Sequence, residues 1–116
     1  MDQKKFDKAE ELYRACLEKK RKILGDSHND TSNTMNGLGI CLRKMRKHKE
    51  SEQIFRECLS ILVKNKFETN SNENDDMISY TKDNLDKLLR QIDTIKKLQE
   101  KGLEEKSDIV QEIESP

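Results

Sequence analysis

At 116 residues the chain has room for one small domain. Charged residues make up 40% and hydrophobic residues 32%, with a mean hydropathy of -1.03; this excludes a thick globular core and favours helices that each bury one apolar stripe. Lys plus Arg and Asp plus Glu are 23 each, for a net charge of zero, which argues against general electrostatic attachment to nucleic acid or an anionic membrane.

No apolar run approaches the length that spans a bilayer. Met1-Asp2-Gln3-Lys4-Lys5 leads into no apolar stretch of the secretory kind. The three cysteines have no close pairing and fit reduced thiols, which points to the cytoplasm. One Pro and four Gly among abundant Lys, Glu, Leu and Gln predict an all-α chain.

The first predicted helix runs from about Asp7 to Leu24 and stops at Gly25, a suitable C-cap. Asp26 to Asp30 reads as a capped loop, because short runs of Asp, Ser and Asn are ordinary turn chemistry. A second helix follows from about Thr31 to Met45, then a basic turn at Arg46 to Lys49. A third spans about Lys49 to Lys66. Asn70 to Asp76 is polar and reads as a loop. The fourth helix begins near Asp75 or Asp76, whose carboxylates suit a helix N-terminus. Its stripe, Leu85, Leu88, Leu89, Ile92, Ile95 and Leu98, is spaced by threes and fours. Gly102 weakens that helix, and fraying is expected beyond it, although Leu103, Ile109, Val110 and Ile113 could add a turn or two.

An internal repeat organises these elements. Ala9-Glu10-Glu11-Leu12-Tyr13-Arg14-Ala15-Cys16-Leu17 matches Ser51-Glu52-Gln53-Ile54-Phe55-Arg56-Glu57-Cys58-Leu59. The aromatic and cysteine pairs agree on an offset of 42 (55 − 13 and 58 − 16). Downstream, Ser32-Asn33-Thr34 with Leu38, Leu42 and Arg43 matches Ser79-Tyr80-Thr81 with Leu85, Leu89 and Arg90 at an offset of 47 (79 − 32). The extra residues fall in the 70–76 loop, where insertion costs little closure entropy.

Leu38-Gly39, Leu42, Ser51, Phe55 and Cys58 resemble the tetratricopeptide repeat signature, a large–small pair on one helix facing a small residue and an aromatic on the next. Gly39 and Ser51 stand where two helices must approach closely. Phe55 and Tyr13 fill the space between helices, and Cys16 and Cys58 replace the usual alanine. The 42-residue spacing exceeds the usual ~34 and is similar to the kinesin light chain variety. Lys22 to Thr31 resembles that variety's link between repeats, with Asn29 in place of its proline. Asn36-Gly37-Leu38-Gly39 resembles its Asn-Asn-Leu-Ala, with Gly37 in place of the second Asn.

The resemblance covers about Phe6 to Ile92 and implies antiparallel helix pairs in a right-handed superhelical solenoid of about two repeats. Residues 5–26 would be the second helix of an incomplete first repeat, with Lys5 to Ala9 matching the turn before it. Residues 31–66 would be a complete pair, 75–101 the long helix of a third or capping repeat, and 102–116 a frayed tail. A fragment this short is expected to be marginally stable alone, because such arrays need about three repeats.

The resemblance also implies a groove lined by Asn33, Asn36, Ile40, Arg43 and Lys44 on one helix and Tyr80, Asp83, Asn84, Lys87 and Arg90 on the next, all facing solvent. Asn36 and Asn84 would hold a peptide by its backbone amides, and Arg43 and Arg90 would pair with its acidic groups.

Other features read more plainly. The 26–30 run lacks a second His, a Cys or a Glu nearby, so neither a metal site nor an acid–base pair is expected. Lys19 to Lys22 and Arg43 to Lys49 read as solvated helix faces, since aromatics for base stacking are scarce. Gly37-Leu38-Gly39 follows no strand and lacks a third Gly, so it is no phosphate loop. Cys16, Cys41 and Cys58 lack an activating base in sequence and are expected to pack.

The sequence therefore points to a protein-binding scaffold with no catalysis, cofactor, nucleic acid or membrane partner. Its partner would be a peptide or helix, together with neighbouring repeats of a longer chain. The alternatives are a structural spacer, or a regulatory piece of a larger signalling or motor-cargo adaptor protein.

Overall fold

The structure, a computed structural model, describes residues 3–102. Four helices follow in order: α1 (Gln3–Leu24), α2 (Asn29–Lys44), α3 (His48–Thr69) and α4 (Asp75–Glu100), with no strand among the described residues. The expected all-α stack of helix pairs is present. The tail predicted beyond Gly102 lies outside the described residues.

Side-chain pairs fix the directions of the helices. Phe6 O accepts from Cys41 Sγ while Lys20 Nζ reaches Thr34 Oγ1, so α1 and α2 run antiparallel. Ser51 Oγ donates to Gly39 O at 2.7 Å and Cys58 Sγ donates to Ser32 O, so α2 and α3 are antiparallel too. Arg14–Glu50 and Arg21–Glu57 join α1 to α3 at one constant separation of 36 residues, which makes those two helices parallel. Asn36–Asn84 and Arg43–Gln91 do the same for α2 and α4 at 48.

Local chemistry sets the ends. Gly25, at φ 86°, closes α1 with its N–H on Arg21 O; only glycine takes that conformation without steric cost. His28 caps α2 by accepting from the Asp30 N–H at 3.1 Å, and Thr31 Oγ1 donates back to Gly25 O. The loop is shorter than the expected 26–30 run: Asn29 and Asp30 already form the first turn of α2, which His28 caps. At the other end, Arg46 N–H bonds Arg43 O and Lys47 N–H bonds Leu42 O. This is a Schellman arrangement with Arg46, not glycine, in the left-handed position (φ 64°). Asn70 takes the same conformation after α3, a position asparagine tolerates well. Asp75 and Asp76 fill the first turn of α4 as expected, and Lys66 Nζ pairs with Asp75 at 2.6 Å across the α3–α4 link.

Two further boundaries differ from expectation. Lys5 to Ala9 was expected to be a turn and is helical, because α1 starts at Gln3. No breaker interrupts Gln3 to Ala9, and Gln3 Nε2 bonds Asp7 one turn on. Helix α3 runs on to Thr69, three residues past the expected end, until Asn70 turns the chain.

The core is thin and continuous. Leu17, Met35, Leu38, Leu42, Cys58, Leu62 and Ile78 form one cluster, and Phe55, Leu85 and Leu88 form the next. Helix α2 sits between its neighbours and is buried over most of its surface. A Cβ built on Gly39 would lie 2.5 Å from Phe55 Cε1, and one on Gly37 would lie 2.5 Å from Tyr13 Cε1. Two residues along a helix is a rotation of about 200°, so rings from α3 and α1 clasp α2 from opposite sides.

Glu10 ties α1 to the α2–α3 turn, pairing with Lys47 at 2.9 Å and Arg14 at 2.8 Å. The hydrogen bond from Lys47 holds its carboxyl below the usual carboxylate range. A carboxyl lowered in the folded state adds stability that is present above its unfolded pKa and lost as pH falls through the folded one. Urea midpoints of the wild type and Glu10→Gln should therefore differ at neutral pH, with the variant lower, and converge in acid below the lowered value. A gap that is unchanged in acid would exclude the ion pair as its source.

Candidate functional site

The expected binding residues lie on the parallel helices α2 and α4. Asn33, Tyr80, Asp83, Lys87 and Arg90 are exposed, and Ile40, Lys44 and Asn84 are half-buried. Arg90 and Lys87, with Gln91 and Thr94, border a hollow of about 280 Å³ toward the C-terminal end of α4. Thr94 was absent from the expected set, although its spacing of four from Arg90 places it on the same face. Its hydroxyl donates to Arg90 O.

Two residues expected to face solvent do not. Asn36 is fully buried, and Arg43 is 4% exposed. The Asn36 amide donates to Thr81 Oγ1 at 2.9 Å and to Ser32 O at 3.2 Å, and its oxygen accepts from Asn84 Nδ2 at 3.0 Å. Arg43 Nη1 donates to Gln91 Oε1 at 3.2 Å. Helix α4 covers both positions, and burial of such groups is tolerable because their hydrogen bonds are made there. Asn36, Arg43, Asn84 and Gln91 therefore form the floor that joins the two helices. Of the expected set, Asn33, Tyr80, Asp83, Lys87 and Arg90 stay exposed, and Ile40 and Lys44 half-buried, without a place in that floor.

Two of the three thiols are unsuited to nucleophilic work. Cys41 and Cys58 are buried, and burial pushes both thiols up from their ordinary value; an activated thiolate requires the reverse. Cys58 packs as expected. Cys16 does not: it is exposed, although it occupies the equivalent repeat position. Cys58 lies between Ser32 and Thr81 on two neighbouring helices, whereas the corresponding face of α1 is open. Among the described residues no group of His, Cys, Asp and Glu could hold a metal ion, and no helix is long and apolar enough to cross a membrane.

The basic runs are partly neutralised on the helix surfaces. Lys22 pairs with Glu18, Arg21 with Glu57 and Asp26, and Lys47 with Glu10. A row of opposed charges at helical spacing is what an exposed helix face carries for solubility.

The close Gly39–Ser51 approach, the ring of Phe55 on Gly39 and the parallel first helices α2 and α4 are the geometry of stacked helix-pair repeats. The family model for the tetratricopeptide repeat matches residues 1–62. No curated protein and no solved structure matches the chain. Repeats of this kind generally mediate protein–protein interaction and form scaffolds without catalytic activity of their own. With the match extending over more than half its length, the chain belongs to the tetratricopeptide repeat family.

Proposed function

We propose that the chain is a cytoplasmic protein–protein interaction module of the kinesin light chain-like variety, whose α2–α4 groove holds a peptide or helical partner carrying acidic groups. It performs no chemistry and needs no cofactor. The carrying observation is the division of labour between the two layers of polar residues. Asn36, Arg43 and Gln91 are buried in the floor, while Lys44, Lys87, Arg90, Asn33 and Tyr80 remain above it. The variety is supported by the 42-residue period and by the length of α1 and α3, 22 residues each against 16 for α2.

Lys87 and Arg90 are the cations best placed to select carboxylates, since both border the same hollow. A double charge reversal, Lys87→Glu with Arg90→Glu, should weaken binding of an acidic peptide by about a hundredfold, some 2.7 kcal/mol, with helicity unchanged. Titration of a fluorescent poly-glutamate-containing peptide reads this directly. Unchanged affinity in the folded variant would reject the groove as the binding site.

A further inference from the structure

Asn36 is followed by Gly37, and Asn-Gly occurs at no other place in the chain. The pair has a chemistry of its own. The backbone nitrogen after an asparagine can attack the side-chain amide carbon and close a cyclic imide. Glycine at that next position puts no Cβ in the way and lets the backbone turn toward the side chain. An asparagine before a larger residue closes the ring more slowly. Asn70-Ser71, in the α3–α4 loop, is such a pair, and Asn70 is exposed.

The fold denies Asn36 what this reaction needs. Gly37 lies inside α2, where its dihedrals are helical and its N–H belongs to the helix ladder. Asn36 is fully buried, with its amide nitrogen held by Ser32 O and Thr81 Oγ1 and its oxygen by Asn84 Nδ2. The restraints come from every other helix. Tyr13 of α1 lies against Gly37, Cys58 of α3 against the Asn36 amide, and Thr81 and Asn84 belong to α4. Separation of the helices removes all of these together.

We propose that Asn36 is a site of spontaneous deamidation that becomes reactive only when the helix stack opens, and that its conversion prevents the stack from closing again. The Gly37 nitrogen gives up its proton to solvent and bonds to Asn36 Cγ, and the side-chain nitrogen leaves as ammonia. Water then cleaves the imide at either carbonyl, leaving aspartate or isoaspartate; nothing is oxidised or reduced. Neither product fits the floor. Asn36 Nδ2 donates to Ser32 O and to Thr81 Oγ1, and Thr81 already donates its own proton to Met77 O. A carboxylate has no proton for these acceptors, and its charge is costly at a fully buried position. Isoaspartate also inserts a methylene into the backbone in the middle of α2, which breaks the register of the helix ladder.

The test ages the full chain in mildly alkaline buffer over a urea series and follows each asparagine by peptide mass spectrometry. Ring closure proceeds from the open population, so urea that raises the unfolded fraction about tenfold should raise the rate at Asn36 about tenfold. The rate at the exposed Asn70 should not follow that increase. In the fully unfolded chain, where stability plays no part, Asn36 should react faster than Asn70, and Gly37→Ala should slow it to a rate no faster than at Asn70. After return to native buffer, a brief protease pulse should digest chains converted at position 36 and spare the others. Conversion in native buffer as fast as in the unfolded chain would overturn the proposal, as would an unfolded chain that reacts at Asn70 and not at Asn36. Converted chains that resist the protease as well as unconverted ones would overturn it too.

Discussion

Phe55→Ala is expected to abolish the cooperative urea transition. Phe55 is the largest fully buried side chain, and its ring lies against Gly39 while packing with Leu85 and Leu88. Truncating a buried phenylalanine costs about 3–5 kcal/mol, against a total of roughly 5–15 kcal/mol for ordinary domains. A thin core with an open face on α1 belongs at the low end of that range, so the loss is comparable with the whole stability. Two glycine substitutions sharpen the argument. Alanine is favoured over glycine in a helix by about 1 kcal/mol. At Gly39 that gain is outweighed, because the new Cβ would stand 2.5 Å from Cε1 and 2.7 Å from Cζ of a ring with nowhere to go. Overpacking of this kind costs roughly 1–3 kcal/mol. At Gly37 the same clearance faces Tyr13, whose ring is 37% exposed and can swing outward. Gly37→Ala should therefore be near neutral or slightly stabilising, and Gly39→Ala should lower the urea midpoint. The reverse order would mean that the rings do not hold α2.

Asn36→Ala is expected to destabilise the chain by roughly 1–3 kcal/mol, the cost of leaving buried polar partners unmet. Asn36 is fully buried and joins Thr81 and Asn84 of α4 to the backbone of α2 at Ser32, with the sulfurs of Cys58 and Met77 as further partners of its amide. Thr81 keeps its donation to Met77 O in the variant but loses its donor from α2. Because Asn84 shares the interaction, a double-mutant cycle of Asn36→Ala and Asn84→Ala should show a coupling of about 0.5–3 kcal/mol. Strict additivity would place the two residues in independent roles. Peptide affinity gives a second readout, since a floor residue should alter it only through the spacing of the two helices above.

The helices and their pairing were legible because they rest on periodicity and volume. Threes and fours in Leu85 to Leu98 mark a stripe whatever the surroundings, and the small residues Gly39 and Ser51 ahead of the aromatic Phe55 fit a place where two helices meet closely. The chemistry of the groove was less legible. Asn36 and Arg43 have the spacing of exposed residues relative to α2 alone. Their burial depends on where α4 crosses, a long-range contact that no local pattern encodes. Cys16 and Cys58 illustrate the same limit from the other side. They hold identical places in the repeat, yet one is covered by two helices and the other by none. The start of α1 was missed because the analogy with the α2–α3 turn outweighed an uninterrupted run of residues compatible with helix.

The clasp around α2 also shapes how the chain comes together. With glycine at 37 and 39, the middle of α2 has little tendency to be helical by itself, each glycine costing about 1 kcal/mol relative to alanine. Its conformation is lent by its neighbours, since Tyr13 arrives from one helix and Phe55 from another. The centre of the stack is therefore the segment least able to persist in an unfolded chain, and it orders only when both flanking helices are in place. Such conditional order makes α2 the hinge on which the entire array is either assembled or lost.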